Sequence, residues 1–264
     1  LSMAKQMSSD KKDPLLSRDI LMRASSESAC FVLTRYPYLS AILLMIITGE
    51  QSKTTDLNER KYYIYVHVGL YFVSATLMAY NLFGLKKLFA LVNVFHTIIV
   101  TCLEYEPSRH GEHIAIRLLI RNFGIIGCYL MVAGGLGETN EKLLPNKNLM
   151  SFGIRIIGAF SILSAVLIWN SKEELQIYLQ ALPTGTLLVY AIIFPLVICG
   201  VCIYSGYHVV LTCKVLTLLL LIITLIDFAH ISSNFKQSIS WVSIYVTCRH
   251  IPIMGALLLV NKSY

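Results

Sequence analysis

Charged residues are scarce in this sequence, and their scarcity sets the class of protein. Only 14% of the residues are charged, against about 25% in an average soluble domain, while 56% are hydrophobic. The apolar residues form long runs such as 215–226, without the alternation that barrel strands require. Because only helices and closed barrels satisfy every backbone group in lipid, the composition predicts an all-α fold, a polytopic membrane helix bundle.

Catalytic signatures are missing as well. The sequence has no GxSxG motif, no phosphate-binding glycine loop and no pair of carboxylates inside an apolar run. His110, Glu112 and His113 form an HGEH cluster without the spacing of a zinc motif, and we interpret it, like residues 172–174, as a solvated polar loop. The loops, each shorter than about 15 residues, leave no room for a soluble catalytic domain. The chain is therefore predicted not to be an enzyme and to need no cofactor or metal.

Disulfide patterns are also absent, because all seven cysteines lie in or at the ends of apolar segments. Cys199 and Cys202 form a CxxC motif in the middle of such a segment, where small residues favour close helix packing more than redox chemistry. The net charge of +7 does not indicate a nucleic-acid partner, because the basic residues are scattered through loops and segment ends. The basic N-terminal tail is better explained as a signal for membrane orientation.

Eight apolar segments have about the 20 residues that a membrane-spanning helix needs. They are predicted near 28–48, 62–81, 85–104, 116–136, 151–170, 184–205, 209–228 and 241–260. A ninth stretch, 14–24, has apolar residues at helical spacing and is expected to lie on the membrane surface, to pack on a partner, or to have no fixed structure. More Lys and Arg flank the spans on the side of the N-terminus, so both termini are expected to face the cytosol.

The chain repeats one motif near the end of each half. Residues 121–132 and 249–260 both open with an arginine that stands six residues before a glycine. Shorter echoes link 39–41 with 163–165, and Tyr80 with Tyr204. We therefore predict two four-helix repeats, 28–136 and 151–264, joined by a linker at 137–150 and preceded by a cytosolic tail at 1–27.

Four arginines stand inside predicted spans, where each costs roughly 2.5–3.5 kcal/mol at the helix centre. They are Arg35, Arg121, Arg155 and Arg249. Glu104 and Asp227 each close the span that precedes one of these arginines, so Glu104 is predicted to pair with Arg121, and Asp227 with Arg249. Such pairs would lock helix packing. Two alternatives stay open: the arginines face a groove and hold lipid phosphates at the luminal leaflet, or they line a substrate or proton pathway.

Short pieces of the chain resemble the metazoan transmembrane protein 101 family, in the same order and at similar spacing over most of its length. They are residues 33–37 (LTRYP), 133–138 (AGGLGE), 171–174 (SKEE), 178–179 (YL), 182–183 (LP) and 205–207 (SGY). More distantly, the doubled four-helix pattern and the Arg121-Asn122 opening of the fourth span are similar to the DoxX superfamily, which includes the surfeit-locus cargo receptors. That resemblance implies two four-helix repeats in an endomembrane.

The first functional hypothesis is a non-enzymatic integral membrane subunit of an endoplasmic reticulum complex. It would dock a larger membrane-associated protein and help present lipid or cargo to it. The membrane phospholipids it binds would contact Arg155, Arg249, Arg121 and Arg35. A small-molecule transporter is the alternative, because Pro195, Gly200 and Pro252 stand where spans of transporters are interrupted. A membrane oxidoreductase is a third hypothesis, and it depends on Cys199 and Cys202 alone.

Overall fold

The computed structural model describes residues 14–51, 61–81, 84–104, 112–137, 145–181, 185–233 and 241–263, with the side chains at several helix ends, including that of Glu104, outside the description. These residues form a helical bundle. Its helices are α1 (Pro14–Gln51), α2 (Lys61–Tyr80), α3 (Lys86–Glu104), α4 (Glu112–Ala133), α5 (Lys147–Asn170), α6 (Lys172–Ala181), α7 (Thr186–Ser205), α8 (Val209–Ser233), α9 (Trp241–Cys248) and α10 (His250–Ser263). The predicted all-α membrane bundle is confirmed.

Seven segments of the described chain are long and apolar enough to cross a membrane. They are Ala24–Gly49, Tyr62–Tyr80, Glu112–Ala133, Lys147–Asn170, Thr186–Ser205, Val209–Ser232 and Trp241–Val260. Each coincides with a predicted span, and α3, a helix of 19 residues, occupies the remaining one. In α2, exposed tyrosines at Tyr62 and Tyr63 near one end and at Tyr80 at the other match the aromatic belts that mark membrane boundaries.

Two segments differ from the predicted pattern. Residues 14–24 are helical but continuous with the first span, so they do not form a separate helix. The last span is divided into α9 and α10, and the break falls at Arg249. Pro252 explains the break, because a proline has no backbone N–H and its ring clashes with the carbonyl four residues earlier. Pro195 lies inside the continuous helix α7.

Helix neighbours in one half have counterparts in the other. In the first half α1 packs on α2, α2 on α3 and α3 on α4, while in the second α5 packs on α7, α7 on α8 and α8 on α10. Two seams join the halves, α4 against α5 and α10 against α1. This arrangement is what a tandem duplication of a four-helix unit would produce, although the repeat boundaries proposed from the sequence stay a prediction.

Glycines bring α5 into backbone contact with both of its main neighbours. A Cβ atom on Gly153 would lie 2.7 Å from the carbonyl oxygen of Gly127 in α4, and one on Gly158 would lie 2.9 Å from that of Gly200 in α7. Such distances exclude any side chain, as is typical of close helix packing in membranes. Gly200 is therefore a glycine because α7 packs closely on α5. Its place between Cys199 and Cys202 is explained by the same helix packing.

Candidate functional site: a buried charge cluster

A cluster of four charged side chains lies inside the bundle, at the end where α4 begins and α8 ends. Arg117 and Arg121 stand four residues apart on α4 and therefore share one face of that helix. Asp227 comes from α8 and Glu174 from the short helix α6. All four are at least nine-tenths buried, which is rare for charged residues unless they are paired.

Asp227 is the centre of the cluster. Its Oδ1 accepts a hydrogen bond of 2.8 Å from Nη2 of Arg117, and its Oδ2 accepts one of 2.6 Å from Nη2 of Arg121. Arg117 also forms an ion pair with Glu174 through Nε. Two guanidinium groups are thus balanced by two carboxylates, and each charge has an opposite charge beside it, as burial demands.

His113 extends the cluster towards the surface. Its Nδ1 lies 3.2 Å from a carboxylate oxygen of Glu173, and its Nε2 lies 3.2 Å from Oε1 of Glu174. The side chain of Glu173 is 69% exposed, whereas that of Glu174 is 2% exposed. The polar contacts therefore run without interruption from solvent-exposed Glu173 to buried Asp227.

A small cavity of about 20 Å³ adjoins the cluster. Its polar lining comes from Arg117, Arg121, Ser164, Glu174, Tyr178 and His250, and leucine and isoleucine side chains of α4, α5 and α8 close the rest. Nδ1 of His250 lies 3.0 Å from the hydroxyl oxygen of Thr224, which itself donates to the carbonyl of Leu220. That hydroxyl has one hydrogen, so it accepts from His250, and Nδ1 of the ring carries the proton.

The structure brings Arg121 and Asp227 together, which the sequence assigned to different pairs. Asp227 binds Arg117 and Arg121 rather than its predicted partner Arg249. The reason is that α8, which carries Asp227, lies near α4 as well as against α10. The predicted pairing of Arg121 with Glu104 falls on a side chain outside the described residues. The guanidinium carbon of Arg249 lies 4.1 Å from the centre of the Tyr245 ring, a cation–π contact.

Sequence reasoning missed two members of the cluster. Arg117 sits one turn before Arg121, and the four-residue spacing of two arginines on one helix face was a usable signal. Glu174 was assigned to a solvated loop, yet residues 172–181 form α6 and bury Glu174 in the bundle. The interpretation of His113 as part of a solvated loop is also corrected, because it lies in α4 beside Glu174; His110 is outside the described residues.

The other two predicted arginines lie apart from the cluster. Arg35 is partly buried, and its guanidinium carbon lies 3.7 Å from the centre of the Phe31 ring. Arg155 is exposed on the outer face of α5. Cys199 is buried and Cys202 partly buried, and both thiols are free. Among the described residues no group of three or more His, Cys, Asp or Glu could hold a metal ion.

A helical bundle with long apolar segments and buried, paired charges defines a polytopic integral membrane protein. The model of the TMEM101 protein family matches residues 18–263. The chain therefore belongs to that family, as the resemblance of its short motifs indicated. No solved structure matches the chain.

Proposed function

We propose that this protein is a non-enzymatic subunit of an endoplasmic reticulum membrane complex, which holds phospholipid on its outer surface and presents lipid or cargo to a larger partner. The observation that carries the proposal is the position of Arg155. The transporter alternative has its own support in the buried charge cluster.

Arg155 interrupts an apolar stripe on the lipid-facing side of α5. Phe152, Leu163, Val166 and Trp169 form that stripe, and each is between 41% and 56% exposed. These positions recur at the spacing of one helix face, and in an integral membrane protein that face meets acyl chains. A charged arginine in this setting needs an acceptor, because hydrocarbon provides none.

Phospholipid provides the acceptor that suits Arg155 best. No hydrogen bond or ion pair is found for this arginine within the described part of the chain. It lies about 12 Å along α5 from Lys147, at 1.5 Å per residue, and its long side chain can extend further towards the headgroups. A phosphate offers opposite charge and two oxygens for the planar guanidinium, a combination that backbone carbonyls lack.

Helix α1 supports the docking part of the proposal. The helix begins at Pro14, whereas the first long apolar run of the sequence begins near residue 28. The earlier residues extend the helix by about 20 Å, far enough to stand outside the hydrocarbon. This extension is continuous with a core helix, so a partner that binds it would be joined to the bundle through α1.

Lipid analysis of the purified protein tests the role of Arg155. After extraction in mild detergent, Arg155→Leu should retain several-fold less phospholipid per protein than the wild type, measured by mass spectrometry. Trp169→Leu is the matched control, because it alters the same stripe without removing a charge and should retain lipid normally. If Arg155→Leu and wild type retain equal amounts of phospholipid, Arg155 is not a phospholipid site.

Purification under the same conditions tests the docking role. A stoichiometric partner of larger mass should accompany the protein, and its loss from a variant lacking residues 1–20 would locate the contact on the extension of α1. Co-fractionation with endoplasmic reticulum membranes tests the compartment. A chain that migrates alone, with no partner in native membranes, would contradict the subunit assignment.

The transporter candidate rests on the buried charges, because ionisable groups inside membrane proteins often mark substrate or ion pathways. In proteoliposomes a transporter would give a solute-dependent flux that Arg117→Met abolishes while Arg155→Leu does not. Absence of flux for anionic and cationic solutes alike would favour the non-enzymatic subunit instead.

A further inference from the structure

One nitrogen of the buried cluster is not used. Arg121 is 6% exposed, and its Nη2 donates to Asp227, but its Nη1 is buried and has no hydrogen-bond partner in the part of the chain described here. A buried donor without an acceptor costs free energy. Because Arg121 also lines the small cavity, a ligand in that cavity that accepts a hydrogen bond would lower this cost.

The two halves of the bundle make the same hydrogen bond one residue after the motif arginine. In the first half, Nδ2 of Asn122 donates to the hydroxyl of Thr101 at 2.8 Å. In the second half, Nδ1 of His250 lies 3.0 Å from the hydroxyl of Thr224. Each threonine hydroxyl donates its own hydrogen to a carbonyl of its helix, so it accepts from the asparagine or from the histidine. The amide donor in the first half therefore supports the assignment of the ring proton to Nδ1 of His250.

The same assignment makes Nε2 of His250 an acceptor. A neutral imidazole carries one hydrogen, and Nδ1 holds it, so Nε2 presents a lone pair. His250 is 3% exposed and lines the cavity together with Arg121, and no donor to Nε2 is found among the described residues. The cavity is therefore bordered by one buried residue with an unused donor and by another with an unused acceptor.

Size and charge select the ligand. The cavity volume is about 20 Å³, and a single water needs roughly 10–15 Å³ by the same measure, so a phosphate group, a nucleotide or a sugar would not fit. The charges give no preference for an ion, because the two guanidinium groups of the cluster are balanced by the carboxylates of Asp227 and Glu174. Water is neutral, and it accepts and donates hydrogen bonds at the same time.

We propose that the cavity binds one internal water, which accepts from Nη1 of Arg121 and donates to Nε2 of His250. Tyr178 lines the same cavity, and its hydroxyl offers a third partner, within the usual range of two to four for a buried water. His250 is the first residue of α10, so this bridging water joins the start of that helix to α4. The site is separate from the phospholipid proposed at Arg155, so the failure of one proposal leaves the other standing.

Solid-state NMR of the full-length protein in lipid bilayers, with isotope-labelled histidine, tests the bridge directly. The His250 signal is the one that disappears in the His250→Asn variant. At neutral pH we expect a neutral ring protonated at Nδ1, with transfer of magnetisation from water to the ring. A proton on Nε2, or a ring without any contact to water, would overturn the proposal.

Hydrogen–deuterium exchange of the backbone at the start of α10 measures what the bridging water holds in place. His250→Phe removes both ring nitrogens and should raise exchange there several-fold. His250→Asn is the matched control, because the first half has an asparagine at the equivalent position. Its amide nitrogen can donate to Thr224, and its oxygen can accept from the water, so exchange should stay near the wild-type rate. Equal exchange in the phenylalanine variant and in the wild type would contradict the bridge.

Substitutions at Ser164 separate the water from the hydrogen bond between His250 and Thr224. Ser164 lines the cavity, and its hydroxyl donates to the carbonyl of Phe160 in its own helix at 2.9 Å, so its replacement removes no partner from the cluster. Ser164→Val fills the space of the water and should raise exchange at the start of α10, whereas Ser164→Ala should not. Unchanged exchange in a folded Ser164→Val variant would mean that no water holds α10. If the valine variant does not fold, the NMR measurement on the wild type still decides the proposal.

Discussion

The two halves of the bundle surround equivalent arginines with different neighbours. Arg121 opens the repeated motif in the first half, and Arg249 opens it in the second. Four residues earlier, the first half has Arg117 where the second has Tyr245. Arg121 therefore shares an acid with a second cation, and Arg249 lies over an aromatic ring.

The difference shows that one residue, Arg117 or Tyr245, decides how many acids each half needs to balance its buried arginines. An additional arginine in α4 needs an additional acid, and Glu174 in α6 supplies it. Where Tyr245 replaces that arginine, the ring faces the remaining guanidinium with its negative π surface and adds no charge. If the halves arose by duplication, the cluster is a place where they differ in chemistry while keeping their helix packing.

The largest effect is expected for the acid at the centre of the cluster. Asp227→Leu leaves Arg117 and Arg121 without their shared carboxylate, and breaking a buried pair from one side costs about 3–5 kcal/mol. The variant should lose most of its folded yield in detergent, as measured by size-exclusion chromatography. Adding Arg121→Leu to Asp227→Leu should restore part of the yield. No recovery in the double variant would mean that Arg121 does not depend on Asp227.

A smaller difference is expected between the equivalent glycines of the two motifs. A Cβ on Gly127 would lie 2.9 Å from the backbone oxygen of Gly153, whereas a Cβ on Gly255 meets its nearest atom, the oxygen of Ala29, at 3.3 Å. Gly127→Ala should therefore lower stability by about 1–3 kcal/mol, and Gly255→Ala by less. Thermal unfolding of the two variants measures both losses of stability. Equal losses would show that the α4–α5 seam is not packed more tightly than the α10–α1 seam.

The smallest effect is expected at the aromatic ring. Tyr245→Leu removes the face on which Arg249 lies, a contact worth about 0.5–2 kcal/mol when desolvated. Tyr245→Phe keeps the ring and should melt close to the wild type. A phenylalanine variant as unstable as the leucine variant would show that the hydroxyl, and not the ring, supports Arg249.

The sequence predicted the spans better than the contacts between them. Long apolar runs mark a span directly, so α2 and α7 lie within about two residues of their predicted limits. The partner of Asp227 was missed because the positions of helices across two repeats are set by packing, which a single sequence does not record. Helix α6 was missed because ten residues with charged positions at their start give no apolar run, although Glu173 and Glu174 are typical of a first helical turn.

The backbone contacts of α5 bear on how the halves can move. Gly153 and Gly158 bring this helix into backbone contact with α4 on one side and with α7 on the other, so sliding at the seam between α4 and α5 would force backbone atoms against each other. The opposite seam, between α10 and α1, has wider spacing at Gly255 and a broken helix beside it. A lateral opening of the bundle towards the bilayer would therefore occur between α10 and α1, with the α4–α5 seam as its hinge.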